Sequence, residues 1–431
     1  MGRWSMTALV VNSVIGVSIF GLPSELIRLL GWASPVAVFL TALLISIIAA
    51  CMAEVASRFT EAGGAYLYVR SAFGRFAGLQ VGWFWLLASL GGGAGCANLF
   101  VQYLSGIWPP ASTASVRIGI MALLIAVPTA ANYVGVRTGT NLSTILTIAK
   151  LVPLCLLAVL GLAHFSQQPH VIPAIQFTHP GTAWLKAFLL LIFAYSGFEN
   201  TLAPGGEVKE PRRTIPFALA TGLLACAAVY TAIQFVTVAT IGTNAAAHPL
   251  AVTDVSSVLL GRAGSMFVAF GVMISSYGWI SGDILTSPRI IYSLAATGDA
   301  PAFLARLHPR FKVPAFALVV YATLEWALAV TGTFLWVAAV AAASILILYS
   351  GVCASLIRLR RLQPDAQALR VPFGPALAVV AIFISLALIS TLDLLQILLI
   401  SVTALIATAN WWWAKRQEIS KTSKIAAVSV P

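Results

Sequence analysis

The chain has 431 residues, 60% of them hydrophobic and only 9% charged, with a formal net charge of +12 at pH 7. A soluble domain carries about 25% charged residues, so this composition, with a mean hydropathy of +0.95, excludes a soluble globular protein and points to one embedded in a bilayer. At ~20 apolar residues per crossing, the chain has room for about twelve spans.

Apolar runs and their punctuation place those spans near residues 6–30, 35–56, 76–106, 116–135, 141–163, 184–204, 216–241, 264–292, 316–332, 335–357, 372–390 and 393–413. The first run leads into further structure and reads as an uncleaved helix, not a signal peptide. With the N-terminus inside, twenty basic residues fall on the cytoplasmic side and four (Arg28, Arg117, Lys186 and Arg262) fall outside. This positive-inside bias sets both termini in the cytoplasm. It also explains the basic charge without a nucleic-acid partner. An inner or plasma membrane location follows, with the lipid bilayer as the surrounding medium.

The first span is interrupted. Gly16 stands seven residues before Pro23, in the run Val10 to Pro23. The sixth span repeats the pattern, with Gly197 seven residues before Pro204. Backbone at membrane depth must be hydrogen-bonded unless it faces protein or a wet cavity. A pair of such interruptions at corresponding positions of two halves marks a transporter binding site. A broken helix exposes N–H groups at one end and C=O groups at the other. The amides of Gly16, Val17 and Ser18 suit a carboxylate, and the carbonyls of Ile15, Phe193, Ala194 and Ser196, beside Gly197, suit an ammonium. Two opposed breaks therefore fit a zwitterion, the head group of an amino acid.

Five spans separate the two breaks, so the second half enters the membrane inverted. The expected fold is an all-α integral membrane protein of twelve transmembrane helices in a 5+5 inverted repeat, with broken helices 1 and 6. The whole chain, 1–431, reads as one transporter domain. Its first repeat covers about 5–165 and its second about 180–357, with helices 11 and 12 appended at 372–413. The tail, 414–431, is expected to be cytoplasmic, polar and disordered beyond Arg416. Trp411, Trp412 and Trp413, followed by Lys415 and Arg416, read as an interfacial anchor.

Within the third span, Gly91-Gly92-Gly93-Ala94-Gly95 either allows close helix packing or opens pocket volume, with Ser89, Gly93 and Cys96 along one face. Lys150 lies about nine residues into the fifth span, ~14 Å deep and near the midplane. An ionisable group there is a functional candidate by default; it serves either as a proton carrier or as the static partner of Asp283 or Glu199. Glu199, inside the second break, either exchanges a proton or braces the two halves of its helix. In the eighth span, Ser276, Trp279, Asp283 and Ser287 share one face. Asp283 has three readings: contact with a cationic or hydrogen-donating side chain, neutralisation of Lys150, or holding a cation. Glu325 has no assigned role. The five cysteines lie in apolar stretches without a CxxC pair and read as reduced, buried hydrophobes. No metal-ligand cluster, nucleophile–base pair or nucleotide loop is readable. The sequence therefore points away from an enzyme and implies no catalytic residues, metal or cofactor.

These motifs together resemble the amino acid–polyamine–organocation (APC) superfamily. Ile15-Gly16-Val17-Ser18-Ile19-Phe20 with Pro23 is similar to its IGSGIF…P motif. Ala62 to Tyr68, with Phe73-Gly74, is similar to the GGxYxY…FG loop. Phe193 to Glu199, Gly206 to Pro216, Ser287-Pro288-Arg289, Gly298-Asp299 and His308 to Phe311 extend the resemblance over roughly residues 5 to 370. The resemblance implies a LeuT-like fold and secondary amino acid transport by alternating access, with helices 1, 2, 6 and 7 rocking against 3, 4, 8 and 9. It implies that Lys150 occupies the place of a sodium ion, which makes protons the coupling partner, and that Glu199 matches an acidic residue linked to proton-dependent handling. Two positions depart from the pattern. Ser18 replaces a usual glycine, and Asp283 stands where relatives carry an aromatic or small residue, which tilts the substrate toward cationic or polar amino acids. The alternatives are an amino acid/amine exchanger and a non-transporting nutrient sensor.

Overall fold

The computed structural model describes residues 2–59, 64–134, 140–167, 177, 179–202, 210–244, 248–364 and 368–428; the side chains of 140–150, 211 and 417–428 fall outside that description. Among the described residues the regular structure is helical throughout. In chain order the helices are α1 (Arg3–Val14), α2 (Ser18–Gly21), α3 (Pro23–Leu30), α4 (Ser34–Ala56), α5 (Gly64–Phe73), α6 (Arg75–Ile107), α7 (Ala114–Tyr133), α8 (Thr140–Ser166), α9 (Gly181–Tyr195), α10 (Pro211–Ile241), α11 (Ala251–Thr286), α12 (Pro288–Ala296), α13 (Ala315–Thr331), α14 (Phe334–Leu362), α15 (Gly374–Ile389) and α16 (Leu394–Val428). Nine helical stretches among the described residues are long and apolar enough to cross a membrane; Leu151–Ser166, Ala315–Thr331 and Gly374–Ile389 are shorter apolar helices.

The centre is built on α6 and α14, whose apolar windows are 83% and 78% buried, against 17% for α16. These two helices form the internal scaffold, while α16 presents most of its surface outward. The second interrupted helix, α9, packs against α14, α2 approaches α6 and α14 at Gly21, and α1 packs along α10.

Three expectations need correction. The eighth segment, expected over 264–292, does start near there: Gly261 (φ 67°, ψ −166°) breaks the helix and leaves 251–260 as a separate helical stretch where a plain connection was expected. The segment ends at Thr286, and a separate helix begins with Pro288, which has no N–H to continue the ladder. The tail expected to be disordered is helical to Val428: the stretch after Trp413 contains no Gly and, before Pro431, no Pro to break it. Cys155 is exposed, whereas Cys51, Cys96, Cys226 and Cys353 are buried. In a bilayer protein an apolar neighbourhood can be lipid as well as core.

Buried ionic clusters pin the ends of the helices. Glu54, at the end of α4, is 0% exposed. Its carboxylate accepts from Arg360 of α14 at 2.7 and 2.6 Å, from Arg58 at 3.3 Å and from the Val371 N–H at 2.8 Å. It thus fastens α4, α14 and the approach to α15. Asp299, also 0% exposed, accepts from Arg75 at 2.5 Å and Thr297 at 3.0 Å, while its backbone carbonyl accepts from the Asn410 side chain on α16. Burial and the nearby Asp299 charge hold the phenol of Tyr66 above its usual range, so it stays protonated.

Removing one partner from a buried ion pair strands the other charge. Glu54→Ala should therefore destabilise the protein by about 3 kcal/mol, read as a lowered unfolding temperature in detergent. An unchanged temperature would show that α4 and α14 are held by apolar packing alone.

Candidate functional site

The first interruption lies where expected. α1 stops at Val14, Ile15 turns to an extended conformation (φ −72°, ψ 90°), and helix resumes at Ser18. Among the described residues, no backbone carbonyl accepts from Gly16, Val17 or Ser18. The second interruption follows Tyr195: Ser196 is extended (φ −74°, ψ 169°), and a 3-10 turn runs Phe198–Leu202. Pro204 lies outside the described residues. Gly197 takes φ 108°, a left-handed conformation that side chains resist. A Cβ there would run into the Ser13 carbonyl oxygen. The two interruptions are therefore pressed backbone to backbone.

Neighbouring side chains satisfy the opened backbone. The Tyr230 hydroxyl of α10 lies 2.9 Å from the Val14 carbonyl and 3.3 Å from that of Ala194, bridging both breaks. The Ser196 hydroxyl donates to the Phe193 carbonyl at 2.8 Å. Two of the carbonyls expected to meet an ammonium, Phe193 and Ala194, thus already accept a hydroxyl, each keeping one lone pair. Glu199 accepts from the Gly197 N–H and from the Tyr349 hydroxyl of α14, both at 2.8 Å.

A cavity of about 420 Å³ opens at this junction, within the ~300–1,000 Å³ range of small-molecule sites. Gly16, Val17, Ser18, Phe193, Ser196, Gly197, Ser89, Cys96, Trp279, Asp283 and Glu199 all line it, joining segments far apart in sequence. Ile15, Ala194 and Gly93 do not line it. The lining face of α6 runs Ser89, Gly92, Cys96, so the pocket glycine is Gly92 and not Gly93. One residue is about 100° of helix rotation, which turns Gly93 toward α13. There a Cβ would collide with the Glu325 carboxyl. Glu325 is 0% exposed, and both its oxygens lack a hydrogen-bond partner among the described residues. A Cβ at Gly92 would instead strike the Trp279 ring, and one at Gly91 would come within 2.9 Å of the Ala341 Cβ. The glycine run serves helix packing and pocket volume together.

On α11, Asp283 accepts from Ser287 at 2.5 Å and from the Tyr321 hydroxyl of α13. Ser276 is buried and turned away from the cavity; Ser275 lines it in its place. Lys150 sits on α8, but its side chain lies outside the described residues. No Lys, Arg or His is among the described lining residues, so the ionisable carboxyls there are Glu199 and Asp283. The sequence reading missed Tyr230, Tyr321 and Tyr349, each fully buried. The available signal was the polar tip: a buried tyrosine needs a hydrogen-bond partner.

A multi-pass helical membrane protein with two interrupted helices meeting at a central cavity is the class these features define. The family described as amino acid permease matches residues 1–414. The chain belongs to that family, and through it to the APC superfamily. It is similar to the serine/threonine exchanger SteT of Bacillus subtilis (strain 168), 28% identical over 324 residues and 72% of each chain. It is also similar to the vacuolar cationic amino acid transporter 4 of Arabidopsis thaliana, 25% identical over 381 residues, 84% of this chain and 63% of that one. Asc-type amino acid transporter 1 of Mus musculus is 29% identical over 336 residues, 74% of this chain and 62% of that one.

Gly197→Ala adds a Cβ against Ser13 and strains a positive φ, a cost of about 1–3 kcal/mol. The variant should unfold at a lower temperature than wild type in detergent, while Gly119→Ala, where nothing lies within 4 Å of the added Cβ, should not. Equal effects would mean that the backbone contact at Gly197 is dispensable.

Proposed function

We propose that the protein is a secondary active transporter that carries amino acids across the membrane by alternating access. The observation that carries this reading is the contact of Gly197 with the Ser13 carbonyl, which brings both helix interruptions to one cavity. The amides at Gly16–Ser18, from which no backbone carbonyl accepts among the described residues, offer the positive end of a helix to a carboxylate. The second interruption offers the remaining carbonyl lone pairs, with that of Ser196, to an ammonium. In this reading the chain has twelve spans: the nine long stretches and the three shorter apolar helices. Residues 5–165 and 180–357 form an inverted repeat of the LeuT type, with 372–413 appended and both termini in the cytoplasm.

The cavity extends from the breaks toward Asn12, Asn200 and Thr286, which this topology places on the inner side. On the outer side, Phe193 and Phe334 approach with ring centroids 6.3 Å apart, and the Tyr103 hydroxyl donates to the Phe20 carbonyl at 2.9 Å. The conformation is accordingly read as inward-open.

Proton-coupled symport is the favoured mode, with Lys150 and Glu199 as coupling residues. A lysine at midplane depth can release a proton as the cavity dries. Asp283 tilts the substrate toward cationic or polar amino acids. Exchange is the second reading, favoured by the likeness to a relative named a serine/threonine exchanger. Proteoliposomes with an imposed pH gradient test both. Symport predicts gradient-driven uptake, lost in Lys150→Ala. Exchange predicts uptake stimulated by internal amino acid and indifferent to the gradient. Neither result, with the protein folded, overturns transport.

Pocket shape gives a second prediction. Gly92→Ala would force the Trp279 ring toward the cavity. Competition uptake should then show large amino acids losing at least about tenfold relative to alanine or serine, a difference of ~1.4 kcal/mol. An unchanged size preference would remove Trp279 from the selecting wall.

A further inference from the structure

The end of α14 carries Arg358, Arg360 and Arg361. Arg360 is committed to Glu54. Arg358 and Arg361 are three residues apart and so share a face. They border a second groove, of about 500 Å³, between α14 and α5. The rest of its wall is apolar: Phe73, Ala354, Ile357 and Leu362. Phe73 is 40% exposed and Leu362 57%, so the wall is open to its surroundings. The Arg358 guanidinium lies 5.1 Å from the Phe73 ring centroid. Among the described residues, neither Arg358 nor Arg361 has a carboxylate within ion-pair distance.

We propose that this groove binds one anionic phospholipid, with its phosphodiester between Arg358 and Arg361 and an acyl chain along Phe73, Ala354, Ile357 and Leu362. Three features select that occupant. α14 is a long apolar span, so its basic end emerges at headgroup depth and the apolar wall below it meets the hydrocarbon. Guanidinium forks match phosphate oxygens in bidentate geometry. Basic pockets between helices at a cytoplasmic face hold anionic headgroups. A free phosphate would engage the arginines and leave the apolar wall uncovered; a zwitterionic lipid would cover the wall but bring a cation to two cations. The bound lipid bridges α5 to the central scaffold helix, independently of any substrate.

The test uses the purified full-length protein in detergent, titrated with dioleoylphosphatidylglycerol, dioleoylphosphatidylcholine or inorganic phosphate. Native mass spectrometry reads bound lipid, and thermal unfolding reads stabilisation. Phosphatidylglycerol should bind at one site and raise the unfolding temperature, while the other two should not. The pair Arg358→Gln and Arg361→Gln should weaken that binding by about 30-fold, with Arg358→Lys and Arg361→Lys falling between. Equal binding of phosphatidylcholine, equal stabilisation by inorganic phosphate, or wild-type affinity in the glutamine pair would overturn the proposal. The wild-type comparison of the three additives decides it even if a variant fails to fold.

Discussion

The structure depends on how peptide groups are satisfied where two helices open inside a membrane protein. Water is scarce at that depth, and an orphaned carbonyl costs several kcal/mol. The Tyr230 hydroxyl answers for both breaks at once, standing between the Val14 and Ala194 carbonyls. It comes from α10, which packs along α1, so the bond fixes α10 as well as the breaks. Gly197 completes the junction by letting its backbone reach the Ser13 carbonyl. Without both features, two kinked helices would be two separate defects; with them, they form one polar junction on a shared cavity.

The same accounting gives the cavity its polarity. The carbonyl ends are already occupied by hydroxyls from Tyr230 and Ser196, and the Gly197 amide is taken by Glu199. Among the described residues the amides of Gly16 to Ser18 have no backbone carbonyl partner. The donor side of the junction is thus free of backbone acceptors and the acceptor side half filled. Glu199 accepts from the Gly197 N–H within its own break, while Tyr349 ties it to α14. Asp283 is held in the same way by Ser287 and Tyr321. Each carboxyl of the cavity is therefore oriented by a tyrosine hydroxyl from a neighbouring helix, α14 for Glu199 and α13 for Asp283. Carboxyl groups oriented in this way present fixed hydrogen-bonding positions to whatever enters.

How legible this was in the sequence varies with the physics. The breaks were readable because Gly and Pro act locally on the backbone. The partners of the breaks were not: a tyrosine in an apolar helix has the same hydropathy whether its hydroxyl meets a carbonyl or a lipid headgroup. Glu54 and Arg360 lie 306 positions apart, and no local pattern announces such a pair. The helical stretch 251–260 ahead of Gly261 was missed for the opposite reason, since Asp254, Ser256 and Ser257 look like loop while lying on helix. The family match to residues 1–414 supports what the motifs implied; the repeat and the coupling ion remain proposals built on them.

The glycine run of α6 shows why a lining residue cannot be named from spacing alone. Consecutive helical residues point about 100° apart, so Gly91, Gly92 and Gly93 face three different neighbours. Gly91 admits α14 at Ala341, Gly92 admits the Trp279 ring, and Gly93 admits Glu325 from α13. One missing Cβ each lets a scaffold helix, a cavity wall and a buried acid approach the same turn. A helix chosen for pocket volume alone would need only the middle glycine. Three in succession mean that cavity width and scaffold packing are set by the same turn of backbone, so a side chain added to widen or narrow the site also moves the helices that frame it.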